Sequence, residues 1–252
     1  MIRNLECIVC QKTQTKALYT VNNFVISKCQ TCGYIFCQHP LKPINFSELY
    51  NHNYFHGDDY LNYVSDEEII KKNFRRFLRI IKPFQSSGKL LEIGSAYGFF
   101  LDEARKHFEC SGVEISKDAS EYAIKEKGLN IHNVNLLNFE PERNNYDTIV
   151  MWDTIEHLES PDLFLVKIHK LLKDEGYLFL TTGNIGAFIP RIKKQNWRLI
   201  KPPWHLHYFS SKTITLLLQR LGFEVRLIKA IGFYRSLNMI ILKNLINYYS
   251  VV

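Results

Sequence analysis

Leu90-Leu91-Glu92-Ile93-Gly94-Ser95-Ala96-Tyr97-Gly98-Phe99-Phe100-Leu101 is the stretch on which the fold turns. It reads as a short apolar strand, a turn holding two glycines, and the start of a helix. Gly112-Val113-Glu114-Ile115-Ser116 follows as a second strand that ends on an acid. Strand, glycine turn, helix, strand and acid, in that order, is how an open α/β sheet holds an adenosine-bearing ligand. A dinucleotide site would want glycine at 94, 96 and 99, so that backbone can approach the pyrophosphate. This chain has Ala96 and Phe99, its glycines stand at 94 and 98, and Glu92 precedes the turn. That suits a ligand with no pyrophosphate but with an amino group for a carboxylate to meet.

Working outward, apolar patterning alternates between strand and helix. Strands are expected at 89–93, 110–115, 131–134, 146–152 and 176–182, with helices at 98–108, 117–127 and 161–173. Only the 135–145 link lacks a clear helix. A further helix is expected at 211–221 and a strand at Glu224–Ala230. Ahead of the first strand, Ser65-Asp66-Glu67-Glu68 has the form of a capping box. The helix it opens carries Ile70, Phe74, Phe77, Leu78 and Ile81 on one face and stops at Pro83. Strands alternating with helices imply an α/β, Rossmann-like, mostly parallel sheet with helices on both faces. Ligands bind beyond the carboxyl ends of such strands, which gathers the Gly94 turn, Glu114, Asn135 and the 153–157 loop around one crevice.

The motifs also resemble a family. Glu92-Ile93-Gly94-Ser95-Ala96-Tyr97-Gly98 is similar to the first motif of class I S-adenosylmethionine (SAM)-dependent methyltransferases, and Glu114 to that family's acid for the ribose hydroxyls. Tyr146-Asp147-Thr148-Ile149-Val150-Met151-Trp152-Asp153-Thr154-Ile155-Glu156-His157-Leu158 resembles its fourth motif. Leu171-Leu172-Lys173-Asp174-Glu175-Gly176 resembles its "LLKPGG" helix end. The resemblance covers roughly residues 70–230. It implies a SAM site made of Glu92, Gly94, Ser95, Ala96, Gly98, Glu114, Asn135 and Asp153. Ala96 replaces the family's middle glycine, and Asn135 stands where an adenine-binding acid is frequent.

Three histidines are candidate catalytic residues. His157 follows the fourth strand, where the methyl group should point, and an imidazole suits proton removal at neutral pH. The alternative is a histidine that caps the next helix. Asp153, Glu156 and His157 together would also suit a divalent cation, as a similar stretch does in ubiquinone-type O-methyltransferases. Pro202-Pro203-Trp204-His205-Leu206-His207-Tyr208-Phe209-Ser210 resembles an acceptor-side segment of small-molecule members of the family. In an extended chain His205 and His207 share a face, lining the acceptor pocket or buttressing the loop.

The first forty residues are a different unit. Cys7-x-x-Cys10 and Cys29-x-x-Cys32 are separated by eighteen residues, the spacing of a zinc ribbon in which four thiolates close a structural tetrahedron. Cys37 reads as packing and His39 as exposed. The organisation expected is a zinc-ribbon-like module over 1–40, an aromatic linker or lid over 41–64, and the methyltransferase domain over 65–252.

The 252-residue chain is 46% hydrophobic and 23% charged, an ordinary globular composition with room for a full core. No signal segment or spanning helix is expected, so a cytoplasmic protein is expected, in which six cysteines suggest metal or free thiols before disulfides. The formal net charge of +7 favours anionic partners. A zinc ribbon ahead of such a domain resembles sugar and surface-glycan methyltransferases of polysaccharide biosynthesis, whose acceptor is a nucleotide-linked sugar or a glycan-lipid. It also resembles zinc-module ribosomal RNA guanine methyltransferases. Residues 1–40 carry only Arg3, Lys12, Lys16 and Lys28, a thin grip for RNA. A non-catalytic SAM-binding scaffold is the third reading. The densest basic cluster is Arg191-Ile192-Lys193-Lys194-Gln195-Asn196-Trp197-Arg198. The apolar tail over 231–252 reads either as strand plus helix or as a helix that seeks a membrane surface.

Overall fold

The structure, a computed structural model, describes residues 6–38, 64–234 and 250–251. His39, the 41–63 part of the expected lid or linker, and most of the apolar tail lie outside the described residues. The chain opens with an antiparallel meander of β1 (Thr15–Val21), β2 (Phe24–Cys29) and β3 (Ile35–Cys37). Asn22 and Asn23, with φ of 49° and 64°, form the two-residue turn between β1 and β2, the left-handed geometry that matches strand twist.

Helix α1 (Glu67–Ile81) starts one residue later than the capping-box reading. Asp66 rather than Ser65 occupies the cap position, and the Asp66 side chain makes no capping bond. Glu67 and Glu68 still meet the positive end of the helix dipole. Phe77, Leu78 and Ile81 are buried as the periodicity requires.

The alternating region follows as β4 (Lys89–Ile93), α2 (Phe99–Ala104), β5 (Glu109–Val113), α3 (Lys117–Lys127), β6 (Ile131–His132), β7 (Tyr146–Trp152), α4 (Pro161–Leu171) and β8 (Leu172–Thr181). These strands form one sheet in the order β6-β5-β4-β7-β8, every neighbouring pair parallel. The 135–145 link holds a single 3-10 turn at Leu136–Asn138. Both faces of the sheet are covered, because successive strand residues point to opposite sides. Leu91, Ile93, Ile149 and Met151 pack with Phe164, Leu165 and Ile168 of α4. Leu90 and Val150 pack on the other face with Leu78 and Ile81 of α1 and Phe100, Leu101 and Ala104 of α2. The strand order reverses between β4 and β7, and a crevice opens there beyond their carboxyl ends.

The last part of the chain holds α5 (Phe188–Lys193), β9 (His207–Tyr208), α6 (Ser211–Arg220), β10 (Ala230–Ile231) and β11 (Ser250–Val251). A capping box is formed here: Ser210 Oγ accepts from the Thr213 N–H, and the Ser210 N–H donates to Thr213 Oγ1. The strand expected at Glu224–Ala230 is not made. Residues 224–229 are irregular, with Leu227 and Ile228 exposed, and only Ala230–Ile231 finds a ladder partner, in Ser250–Val251.

Strand β9 pairs with β3, Ile35 opposite Tyr208 and Phe36 opposite His207, which makes the meander a four-stranded sheet. The cysteine-bearing region therefore shares a sheet with the acceptor-side segment. Cys7, Val9, Cys29, Cys32 and Tyr34 are buried in the same cluster as Ile93, Met151 and Phe209. Cys37 is buried and packs with Ile26, Leu206 and Tyr208, as its reading as packing required.

Candidate active site

The glycine turn is built by left-handed backbone at Gly94 (φ 71°), Ala96 (φ 45°) and Gly98 (φ 76°). A Cβ on Gly94 would lie 2.8 Å from Thr154 Oγ1, so glycine lets the β7 loop close on the turn. Ala96 holds a conformation that glycine adopts without strain, at a cost of about 1 kcal/mol. Glu114 ties the turn to the next strand. Its Oε2 accepts the Ala96 N–H at 2.8 Å and its Oε1 accepts the Ser116 N–H at 2.7 Å.

Beneath the turn lies Glu92, 3% exposed, with Oε2 bonded to no protein group among the described residues. Burial, and then the nearby Glu114 carboxylate, hold its carboxyl well above the usual range. Burial also raises Glu114, against the backbone N–H groups of Ser116 and Ala96, which lower it. Ser95 Oγ is a second buried atom lacking a protein partner. Two buried carboxylates facing one turn favour a cationic ligand there, and SAM carries both a sulfonium and an ammonium.

A cavity of about 150 Å³ opens from this turn. Gly94, Glu114, Asn135, Thr154 and His157 line it. Ile115 and Leu137, each more than a third exposed, stand beside Asn135 and give an apolar slot of the kind that takes an aromatic base. Asn135 Oδ1 accepts the Leu137 N–H at 2.9 Å, so it caps the 3-10 turn and shapes the slot. Glu92, Ser95, Ala96 and Gly98 form the turn and its support without lining the cavity. Asp153, with φ 46°, is anchored away from it: the Thr181 hydroxyl donates to its Oδ1 at 2.9 Å.

His157 and His205 come together, ring centroids 4.6 Å apart at 90°. His157 Nδ1 faces the Trp204 carbonyl at 2.9 Å, and His205 Nδ1 faces the Leu199 carbonyl at 2.9 Å. A carbonyl only accepts, so both Nδ1 atoms carry a hydrogen. Glu156, His157 and His205 offer ligand atoms within 4.8 Å of one another. His205 thus joins the potential cation group in place of Asp153. Burial, reinforced by Asp153, pushes the Glu156 carboxyl up to about 8.

His207 parts from His205, contrary to the shared face expected of an extended chain. Its Nε2 donates to the Leu158 carbonyl at 2.8 Å, which leaves Nδ1 as an acceptor for the Tyr34 hydroxyl. Both nitrogens are engaged, in a buried stack with Tyr34 and Phe209, which is the arrangement of a loop buttress. Tyr34 was missed by sequence reasoning, as were Thr154, Ile115 and Leu137. An apolar pair directly after Asn135 was the available signal for the slot. Tyr34 had none beyond its place after Gly33.

Two tight turns bring the four cysteines together. The Gln11 N–H donates to the Cys7 carbonyl and the Gly33 N–H to the Cys29 carbonyl. All four Sγ atoms lie within 4.8 Å of one another, with Cys7–Cys32 at 3.6 Å and Cys10–Cys29 at 3.5 Å. A zinc ion bound at about 2.3 Å from each sulfur needs edges of about 3.8 Å. The donor set therefore fits zinc. Burial raises the Cys7 thiol strongly and Cys32 to about 11. At Cys29, burial is outweighed by the backbone N–H groups of Cys32 and Thr31, which bring it to about 7.

The family described as "Methyltransferase domain" matches residues 64–228, and the chain belongs to it. It is a SAM-dependent methyltransferase. Solved structures share the fold. A SAM-dependent methyltransferase from Archaeoglobus fulgidus is 19% identical, covering 82% of this chain and 97% of that one, TM-score 0.58. A possible histamine N-methyltransferase from Thermotoga maritima is 21% identical, covering 75% and 86%, TM-score 0.56. Magnesium protoporphyrin IX methyltransferase from Synechocystis PCC 6803, with SAH bound, is 15% identical, covering 79% and 89%, TM-score 0.56. Among curated proteins none matches.

Proposed function

We propose that this enzyme methylates a small anionic acceptor, a nucleotide-linked sugar or a glycan intermediate on a carrier, with His157 receiving the acceptor's proton. The observation that carries the reading is that His157 lines the same cavity as Gly94, Glu114 and Asn135. SAM supplies an activated methyl group. Glu92 and Glu114 offer the carboxylates for its ammonium and ribose, and Asn135 with Ile115 and Leu137 borders the base. The Trp204 carbonyl accepts from His157 Nδ1 and orients the ring, and Nε2 is the nitrogen assigned the base role. As the methyl passes to an acceptor O–H, N–H or acidic C–H, the proton released is taken by that Nε2. His205 orients beside it. The cysteine cluster holds a structural zinc, because four thiolates leave no open position for chemistry. Cysteines grouped at metal spacing fit a cytoplasmic enzyme. Among the described residues of the ribbon, only Lys12, Lys16 and Lys28 are basic, which favours a small acceptor over ribosomal RNA.

The test uses SAM labelled in its methyl group, incubated with the enzyme and an extract of the source cells. Label in the nucleotide-sugar or glycan-lipid pool supports the reading. Label in RNA replaces the acceptor, and no label with SAM still bound points to a scaffold. His157→Ala should abolish turnover with SAM binding kept; unchanged turnover removes the base.

A further inference from the structure

Helix α5 and the residues after it, Phe188-Ile189-Pro190-Arg191-Ile192-Lys193-Lys194, have apolar side chains on two faces. The inner face is occupied. Ile189, with Ile185 of the turn ahead of the helix, packs against the cluster of Trp197, Leu199, Leu206 and Tyr208. The outer face is bare among the described residues. Phe188 and Ile192, four apart, are 76% and 63% exposed, the two highest values for large apolar side chains among the described residues. Exposed apolar residues are ordinary on a surface, and Leu163 and Val166 of α4 form another such pair, but Phe188 and Ile192 are the more exposed and stand among cations. Arg191, Lys193 and Lys194 surround the pair and are themselves exposed. No carboxylate among the described residues pairs with any of the three. Salt bridges of the described residues lie on α1 to α3, around Asp147 and Glu140, and between Arg226 and Glu224.

We propose that this face docks on an anionic lipid bilayer, Phe188 and Ile192 entering the interface and Arg191, Lys193 and Lys194 meeting the headgroups. Apolar side chains flanked by basic ones, lying in the plane of the surface, are the chemistry of an interfacial anchor. A protein partner would need an acidic surface with a shaped pocket for each of Phe188 and Ile192, whereas an anionic bilayer takes both side chains without one. RNA would match the charges and leave Ile192 in water. The location has a consequence for the active site. The α5 segment joins β8 to the loop that carries His205, and the Ile185 N–H is bonded to the Phe209 carbonyl at 2.8 Å. Docking by this face brings the enzyme to the surface on which a lipid-linked acceptor resides. Resting on the methyl-transfer reading above, the acceptor is then the lipid-linked form of the glycan rather than the free nucleotide sugar.

The test is co-sedimentation of the full chain with vesicles of phosphatidylcholine alone, and with about one third phosphatidylglycerol, at low and high salt. Binding is expected only to the anionic vesicles, falling as salt rises. Arg191→Gln, Lys193→Gln and Lys194→Gln combined should weaken it roughly 100-fold. Phe188→Ser with Ile192→Ser should weaken it at least about 10-fold. Retained SAM affinity shows that each variant is folded. Failure of the wild type to bind, equal binding by both variants, or binding of an RNA oligonucleotide in place of vesicles overturns the proposal. Vesicle binding without methyl label in any glycan-lipid pool would sink the acceptor assignment and leave the docking surface standing.

Discussion

Tyr34→Phe removes one hydroxyl and tests whether the cysteine-bearing sheet and the acceptor loop act as one piece. The Tyr34 hydroxyl donates to His207 Nδ1, and His207 Nε2 donates to the carbonyl of Leu158, the residue after His157. The backbone runs the same way: the Cys37 N–H bonds the Leu206 carbonyl at 2.7 Å and the Leu206 N–H bonds the Glu156 carbonyl at 2.8 Å. Tyr34 is 1% exposed and His207 7%, so water cannot replace the missing donor cheaply. Leaving His207 Nδ1 unpaired in that setting costs about 1–3 kcal/mol. For a chain of this size that lowers Tm by roughly 2–12 °C. The second readout is kinetic. KM for the acceptor should rise and kcat fall, while SAM affinity holds, because Gly94, Glu114 and Asn135 lie outside the hydrogen-bonded chain that runs from Tyr34 through His207 to Leu158. An unchanged Tm together with unchanged acceptor kinetics would refute the reasoning and make the ribbon an independent appendage.

Metal analysis of the purified protein should find close to one zinc per chain, and chelation should lower Tm while leaving far more of the SAM site than of acceptor turnover; a metal content of zero removes the zinc assignment. Glu114→Ala deletes the acceptor of the Ala96 and Ser116 N–H groups as well as the ribose carboxylate, so SAM affinity by calorimetry should fall at least about 10-fold. For Glu156 the sign follows from its raised folded pKa of about 8 against 4.5 in the unfolded chain. The folded state holds a proton that the unfolded state releases, so stability falls as pH rises from about 4.5 to about 8. Glu156→Gln should be the more stable protein at pH near 8, by up to on the order of 5 kcal/mol, with the difference gone near pH 4. Parallel stability curves for the two proteins would show that Glu156 ionises freely.

The parallel sheet was legible because its signals are local. Leu90-Leu91-Glu92-Ile93 and Thr148-Ile149-Val150-Met151 are continuous apolar runs, which is how strands covered on both faces read. The ranges 89–93, 117–127 and 146–152 are formed as expected. The glycine turn, Glu114 and the 153–157 loop were legible for the same reason. Glu224–Ala230 shows the limit of local reading. Its alternation is that of a strand, but a ladder also needs a neighbour, and no residue pattern announces one.

The pairing of β3 with β9 is invisible in sequence for a related reason. It joins two residues near the start of the chain to two beyond the fifth parallel strand, and nothing in Ile35-Phe36 or His207-Tyr208 specifies the match. Its consequence reaches the chemistry. An extended His205-Leu206-His207 would present two equivalent imidazoles to one pocket. The β3 edge captures His207 at its own register, the Tyr34 hydroxyl and Leu158 carbonyl occupy both its nitrogens, and only His205 is left to meet His157. The division of roles between two histidines in one short motif is therefore set by a strand more than a hundred and fifty residues earlier. Exchanging the pair tests this directly. His207→Phe should keep the stack with Tyr34 and Phe209 and retain part of the turnover, whereas His205→Phe should distort the His157 contact and lose more of it. Equal losses in acceptor turnover would mean that the two imidazoles share one role after all.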